Sequence, residues 1–465
     1  MPDSTTPDNH PKDRAAESAV KSVPTDDTKR LAASSSPSDT ETADPSLDAD
    51  SQAEVAAFRQ NLDATGSGEI SELTVDDADE TAANTATRLR AQLLAQRRQL
   101  KRLPPGPGIP EAIGWMLAVI GIHLLAGLFA LVVIVTGQAM RSAPSGAGPS
   151  PEILAKVVAS LPRLVETYLL ELMAIEMLVF LVAAVVATRL RLGPKTSHLL
   201  GIRPLTVYQF LLIVAVWIPI SQMSGGLHLL TSAAWDQWFA HLPGMGFFEN
   251  TNVNNSLKPL GESAPIGFLF LVMAVAPAIG EEIIFRGIIG RGLVARYGIV
   301  AGVIMTSLLF AAVHIHPAHA VALLPLAVFM HVIYLATRSL LAPILLHLLN
   351  NSLAVVLLKL TATAPTFEGV TEPEVPAYVM LISAGIVLLA GWTLWRSRVE
   401  YRTEDGSPWS PGYPTVEIPP ESAGATLTMA HCPLWLRRNA LGLAGAYSLV
   451  FVVTLVLMLT GHIST

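Results

Sequence analysis

The sequence predicts an all-α protein: a polytopic bundle of about eight to nine transmembrane helices behind a disordered, acidic N-terminal tail. Three observations predict it. Of 465 residues, 51% are hydrophobic and only 14% are charged, well below the charged share of a soluble domain. The formal net charge of −7 is unevenly distributed: residues 1–80 hold 19 Asp and Glu against 6 Lys and Arg, residues 81–102 hold six basic residues and no acid, and the remaining 363 hold 18 of each sign. Long apolar runs then recur to the end of the chain, each about 18 residues or longer, the length a bilayer core requires of a helix.

The elements follow in order. Residues 1–85 are rich in Ser, Thr, Asp, Ala and Pro with few aromatics, so they cannot bury enough apolar surface to offset their ordering entropy and read as a disordered acidic tail. Residues 86–105 form a basic juxtamembrane helix, ATRLRAQLLAQRRQLKR, suited to an anionic membrane surface and stopped by the PPGPG that begins at Pro104. No N-terminal signal peptide is expected, because the first apolar run begins beyond residue 110. Residues 106–400 hold the helix bundle, with spans near 113–136, 168–188, 205–222, 265–293, 299–316, 318–336, 340–360 and 377–395. Residues 401–439, with several prolines, read as an irregular cytoplasmic loop, and residues 440–465 as an additional transmembrane helix appended to the core. Cys432 is the single cysteine, which excludes an intrachain disulfide.

Basic residues set the orientation. Arg97, Arg98, Lys101 and Arg102 precede the first span, while Arg189, Arg191, Lys195 and Arg203 separate the second from the third. Arg291 and Arg296 close the fourth, Arg338 follows the sixth, and Arg396, Arg398 and Arg402 follow the eighth. Alternating spans bring all of these to one side, which makes the N terminus cytoplasmic. In the outer loop 223–264, HLLTSAAWDQWFAHL (His228–Leu242) reads as a short interfacial helix anchored by Trp235, Trp238 and Phe239.

Few polar residues lie at depth: Glu281, Glu282 and Arg286 in the fourth span, His314 in the fifth, and His347, Asn350 and Asn351 in the seventh. Ionisable groups in a membrane face a protein interior or a wet cavity and pair there. Glu282 and Arg286 stand at i and i+4 and can form an ion pair, whereas Glu281 is rotated about 100° away and points elsewhere. His347 and Asn351 share a face one turn apart. Counted from the basic ends of their spans at 1.5 Å per residue, Glu281 and His314 lie roughly 22 Å deep and Asn351 roughly 20 Å, so the set can meet at one level. One glutamate, two histidines and an asparagine suit hydrolysis: Glu281 takes a proton from water, His314 orients that water, and His347 with Asn351 donates to an oxyanion. Glu281, His314 and His347 equally suit a divalent metal such as zinc, although the chain has no HExxH.

Three motifs carry a resemblance. EEIIFRG (Glu281–Gly287), FAAVH (Phe310–His314) and HLLNN (His347–Asn351) resemble, intact and in order, the EExxxR, FxxxH and HxxxN patterns of the CPBP intramembrane proteases. That family includes the CAAX prenyl endopeptidases and bacterial, Abi-like relatives linked to bacteriocin processing and immunity. The resemblance covers about residues 200–360. It implies an intramembrane endopeptidase with Glu281 as general base, His314 activating water, and His347 and Asn351 stabilising the oxyanion. It implies Glu282, Arg286 and Phe310 as supporting residues, and either a metal-dependent or a metal-free mechanism. The implied partners are the lipid bilayer and a membrane-associated, prenylated or peptide-like substrate, in a bacterial plasma membrane; no nucleic acid is expected. A proton-coupled transporter also uses buried Glu, His and Arg, and a non-catalytic membrane scaffold is the third class.

Other residues have plainer expectations. His316 and His319 read as interfacial, and His331 as a packed, hydrogen-bonded side chain. Ala276 and Gly280 are spaced as small-xxx-small, which favours close helix packing.

Overall fold

The computed structural model describes residues 106–239, 241–243, 245, 254–363 and 375–460. The acidic tail, the basic segment up to residue 105 and most of the loop 361–376 lie outside the described residues. The long helices are α1 (Ile109–Ser142), α2 (Leu169–Leu192), α3 (Val207–Trp238), α4 (Asn254–Ser263), α5 (the run Ile266–Ala312), α6 (Pro317–Thr337), α7 (Leu341–Thr363), α8 (Ala377–Arg396) and α9 (Leu434–Leu459). A two-stranded antiparallel ladder, β1 (Val399–Arg402) with β2 (Thr426–Met429), lies between α8 and α9. Among the described residues, 8 helices are long and apolar enough to cross a membrane.

Burial sorts these helices. More than half of the apolar window of α5 and of α6 is buried, and half of that of α3, against 22% in α1, 11% in α2 and 6% in α9. The central three therefore carry most of the core, around Phe285, Ile288, Phe310 and Met330, with Leu346 joining from α7. The outer helices turn Leu124, Leu125, Leu190, Leu381 and Leu388 outward, as lipid-facing surfaces do.

The fourth and fifth spans are the two legs of α5, separate helices joined by a turn at Gly298 (φ 81°, ψ 172°), where the sequence places their boundary; three other sequence expectations change. Eight residues of straight helix cover about 12 Å, yet a Cβ on Gly302 would sit 2.5 Å from the Val294 Cα, so the two legs pack antiparallel. The turn follows Arg291 and Arg296, the basic residues that close the fourth span. Because the Gly298 backbone lies in a region open essentially only to glycine, Gly298→Ala is expected to cost about 1–3 kcal/mol. Thermal unfolding in mild detergent reads this, and an unchanged melting temperature would contradict it.

The proposed interfacial helix at 228–242 is instead the continuation of α3, which starts on a capping box between Thr206 and Gln209 and runs to Trp238. The region 401–439 holds the β1–β2 ladder rather than only irregular chain. The last helix starts at Leu434 and docks on its neighbours: Arg437 stands 4.1 Å from the Tyr208 ring, Ser448 Oγ donates to the Ala215 carbonyl at 2.7 Å, and Tyr447 meets Ser383 at 2.8 Å.

The basic residues gather at one end of the bundle. Arg191 pairs with Glu111 at 2.9 Å, Arg296 donates to the Gly106 carbonyl at 3.1 Å, and Arg291 pairs with Glu417 at 2.7 Å. Arg203 donates to the Thr337 carbonyl, and Arg338 stands 5.4 Å from the Tyr401 ring. The chain after β1 is tied to the same end by the Ile418 N–H, which donates to the His198 carbonyl at 3.0 Å.

Candidate active site

The first leg of α5 is not a plain α-helix. Two π-helical segments, Phe270–Val275 and Ile283–Gly290, flank the α-helical stretch Ala276–Glu282 that carries both glutamates. Such segments recur at functional sites. Pro277 has no N–H, so the Met273 carbonyl loses its ordinary i+4 donor. Asn351 of α7 supplies one instead, with Nδ2 3.1 Å from that oxygen. On the opposite side Gly280 packs so closely that an added Cβ would lie 2.6 Å from the Phe180 ring of α2, the close approach its spacing from Ala276 suggests.

Glu282 and Arg286 are fully buried, with Glu282 Oε1 2.7 Å from Arg286 Nη1. The same oxygen meets His347 Nδ1 at 2.9 Å. Arg286 reaches on with Nη2 to the Ala327 carbonyl of α6 at 3.1 Å, and its guanidinium lies 4.5 Å from the Phe310 ring. Glu282 thus does more than balance Arg286: it holds His347 in place, and the three side chains clamp α5, α6 and α7 together. Phe310 fills the centre of this clamp, edge-on to Phe285 at 5.2 Å and 6.0 Å from the His347 ring.

Glu281 faces away from that network. Its Oε2 is buried without a hydrogen-bond partner among the described groups. It lines a cavity of about 330 Å³ together with Phe310, His314, His347, Asn350 and Asn351. The four residues singled out by spacing and depth, Glu281, His314, His347 and Asn351, therefore meet at one cavity.

Two tautomers follow from the partners. His314 Nδ1 lies 3.1 Å from the Phe310 carbonyl, which can only accept, so Nδ1 carries the proton and Nε2 keeps its lone pair. His347 Nδ1 likewise donates to the Glu282 carboxylate and leaves Nε2 for the cavity. His314 stands just past the last regular turn of α5. Ile315 after it has φ 62°, and the His316 N–H closes a two-residue turn on the His314 carbonyl at 2.6 Å. A β-branched residue at positive φ is a strained outlier, and this one puts two histidines on the same cavity.

Several wall residues were not among the sequence candidates. His228, His316 and His319 line the cavity, with His319 5.2 Å from the His314 ring and His316 5.8 Å from the Trp235 ring. His316 and His319 are thus cavity wall rather than interfacial residues, because α6 begins directly behind the Ile315 turn. His123 of α1 and Glu176 of α2 pair at 2.8 Å inside the apolar helices. Ionisable residues within the first two apolar runs were the available signal. His331 is packed, as expected, but not hydrogen-bonded: neither ring nitrogen has a partner among the described groups, because the ring lies against the bare backbone of Gly290.

Among the described residues, no group of three or more His, Cys, Asp or Glu is arranged to hold a metal ion. Both histidines offer Nε2 to the cavity, but with Glu281 they do not close into a ligand set as placed, so no step below passes through a metal.

Residues 263–353 match the family described as Type II CAAX prenyl endopeptidase Rce1-like. The match spans α5, α6 and the first part of α7, and so includes all three motifs. No curated protein matches the chain, and no solved structure does. The apolar helices and this match make the chain an integral membrane protein, and the match of residues 263–353 to the Rce1-like type II CAAX prenyl endopeptidase family is consistent with the CPBP family.

Proposed function

We propose that the chain is an intramembrane endopeptidase that hydrolyses a peptide bond of a membrane-associated substrate. The observation that carries this is the meeting of Glu281, His314, His347 and Asn351 at one cavity. Water sits between Glu281 and the bare Nε2 of His314. Its oxygen attacks the scissile carbonyl carbon while Glu281 takes the proton. For the oxyanion to form toward His347, its Nε2 takes up a second proton, which makes an imidazolium whose charge Glu282 balances; the second N–H of Asn351 Nδ2 is the other donor. Glu281 then returns the proton to the leaving amine as the C–N bond breaks. Beside the histidines, Leu257, Met273, Leu323 and Leu326 add apolar wall, which suits a lipid-anchored or prenylated peptide.

The test uses purified full-length protein in liposomes with a panel of membrane-tethered peptides, with and without a farnesyl group, and mass spectrometry of new termini. Cleavage supports hydrolysis. Proton flux that depends on Glu281, with no cleavage of any peptide, would favour a transporter. Dialysis against a chelator is expected to leave the rate unchanged, and a loss restored by zinc would return Glu281, His314 and His347 to the role of metal ligands.

The basic end belongs in the cytoplasm by the positive-inside rule, which makes the N terminus cytoplasmic, here in a bacterial plasma membrane. Cys432 lies beside that end, just ahead of α9. In intact cells it is expected to resist a membrane-impermeant thiol reagent and to react after permeabilisation. Equal labelling in both would reverse the orientation.

A further inference from the structure

At the basic end three distant segments meet: the lead into α3 at Gly201–Arg203, the C-terminus of α6 at Thr337–Ser339, and the chain around β1. Gly201 makes the approach possible, since a Cβ there would lie 2.6 Å from the Arg338 carbonyl oxygen and 2.9 Å from that of Val416. Ser339 Oγ donates to the Arg203 carbonyl at 2.6 Å. Arg203 donates through Nη1 to the Pro204 carbonyl at 3.0 Å and through Nη2 to that of Thr337. Arg338 has a left-handed backbone, φ 47°, and its guanidinium stands 5.4 Å from the Tyr401 ring.

Charge here is unbalanced. Arg338 interacts electrostatically with Arg203 and Arg398, both of its own sign. Glu400 also faces the group, but Arg398 takes its Oε1 at 2.6 Å and Arg402 its Oε2 at 2.9 Å. Carbonyls at the end of α6 account for one arm of Arg203. They leave Arg203 Nε and Arg338 Nη1 enclosed without a hydrogen-bond partner among the described groups, while both side chains stay half-buried with part of their surface open. Guanidinium groups stay charged in proteins and match the oxygens of phosphate. The surface beside them is apolar: Ile202, Val207 and Phe210 are 44%, 75% and 46% exposed.

We propose that Arg203 and Arg338 bind the phosphate of an anionic phospholipid whose acyl chains lie along the start of α3. Basic residues at helix ends beside a membrane surface take a headgroup in this way, and the flanking apolar surface favours a lipid over free phosphate. The site is separate from the cavity and does not rest on its chemistry.

The test is native mass spectrometry of the full chain in detergent, titrated with phosphatidylglycerol, phosphatidylcholine or inorganic phosphate. Wild type is expected to retain phosphatidylglycerol selectively, and Arg203→Gln/Arg338→Gln to lose about tenfold or more of that retention. Arg189→Gln, at an exposed position at the end of α2, should bind as wild type does. If the double variant does not fold, each single variant is expected to show a smaller loss in the same direction. Equal retention by wild type and folded variants overturns the proposal. So does binding of inorganic phosphate in place of the lipid, or lipid binding that appears only after residues 2–80 are removed, which would mean that the chain's own acidic segment fills the site.

Discussion

Glu281→Gln is expected to abolish cleavage, with kcat falling about 10²–10⁴-fold, the range that general acid–base catalysis contributes. The melting temperature should hold or rise, because Oε2 of Glu281 is buried without a partner and glutamine removes a charge that burial disfavours. KM should change little, since the carboxylate works on water rather than on the bound peptide. A variant as fast as wild type would remove Glu281 from the chemistry. A variant that is slow only because it unfolds would make Glu281 structural.

Glu282→Gln should do the reverse and act first on stability. It leaves the fully buried Arg286 without its ion-pair partner and weakens the hold on His347. Breaking one side of a buried pair costs about 3–5 kcal/mol. Arg286→Met strands Glu282 by the same logic and also releases the Ala327 carbonyl. The double variant Glu282→Gln/Arg286→Met should lose less than the sum of the two, because no unpaired charge remains. Denaturation in mild detergent measures all three. Strict additivity would mean that the two side chains do not act as a pair.

The contrast between these adjacent glutamates was readable from spacing alone. An i,i+4 carboxylate and guanidinium in an apolar helix have one economical arrangement, and the neighbouring carboxylate must point elsewhere. Depth along the helices likewise brought His314, His347 and Asn351 to the level of Glu281, because 1.5 Å per residue constrains a membrane helix tightly. What escaped the sequence depended on contacts between helices. In the first π-helical segment the Met273 carbonyl loses its donor at Pro277 and takes one from Asn351 of another helix. His316 and His319 became cavity wall only through the strained turn at Ile315. Glu282 took His347 as a second partner, a contact between α5 and α7 that no spacing within one helix encodes.

The most direct test of the account is a structure of the full chain with a peptide ketone, which hydrates to mimic the tetrahedral intermediate. The account predicts one of its two geminal oxygens beside Glu281 and His314 Nε2, and the other within hydrogen-bond distance of His347 Nε2 and Asn351 Nδ2. An inhibitor seated outside this cavity, or one whose oxygens reach neither Glu281 nor Asn351, would contradict it.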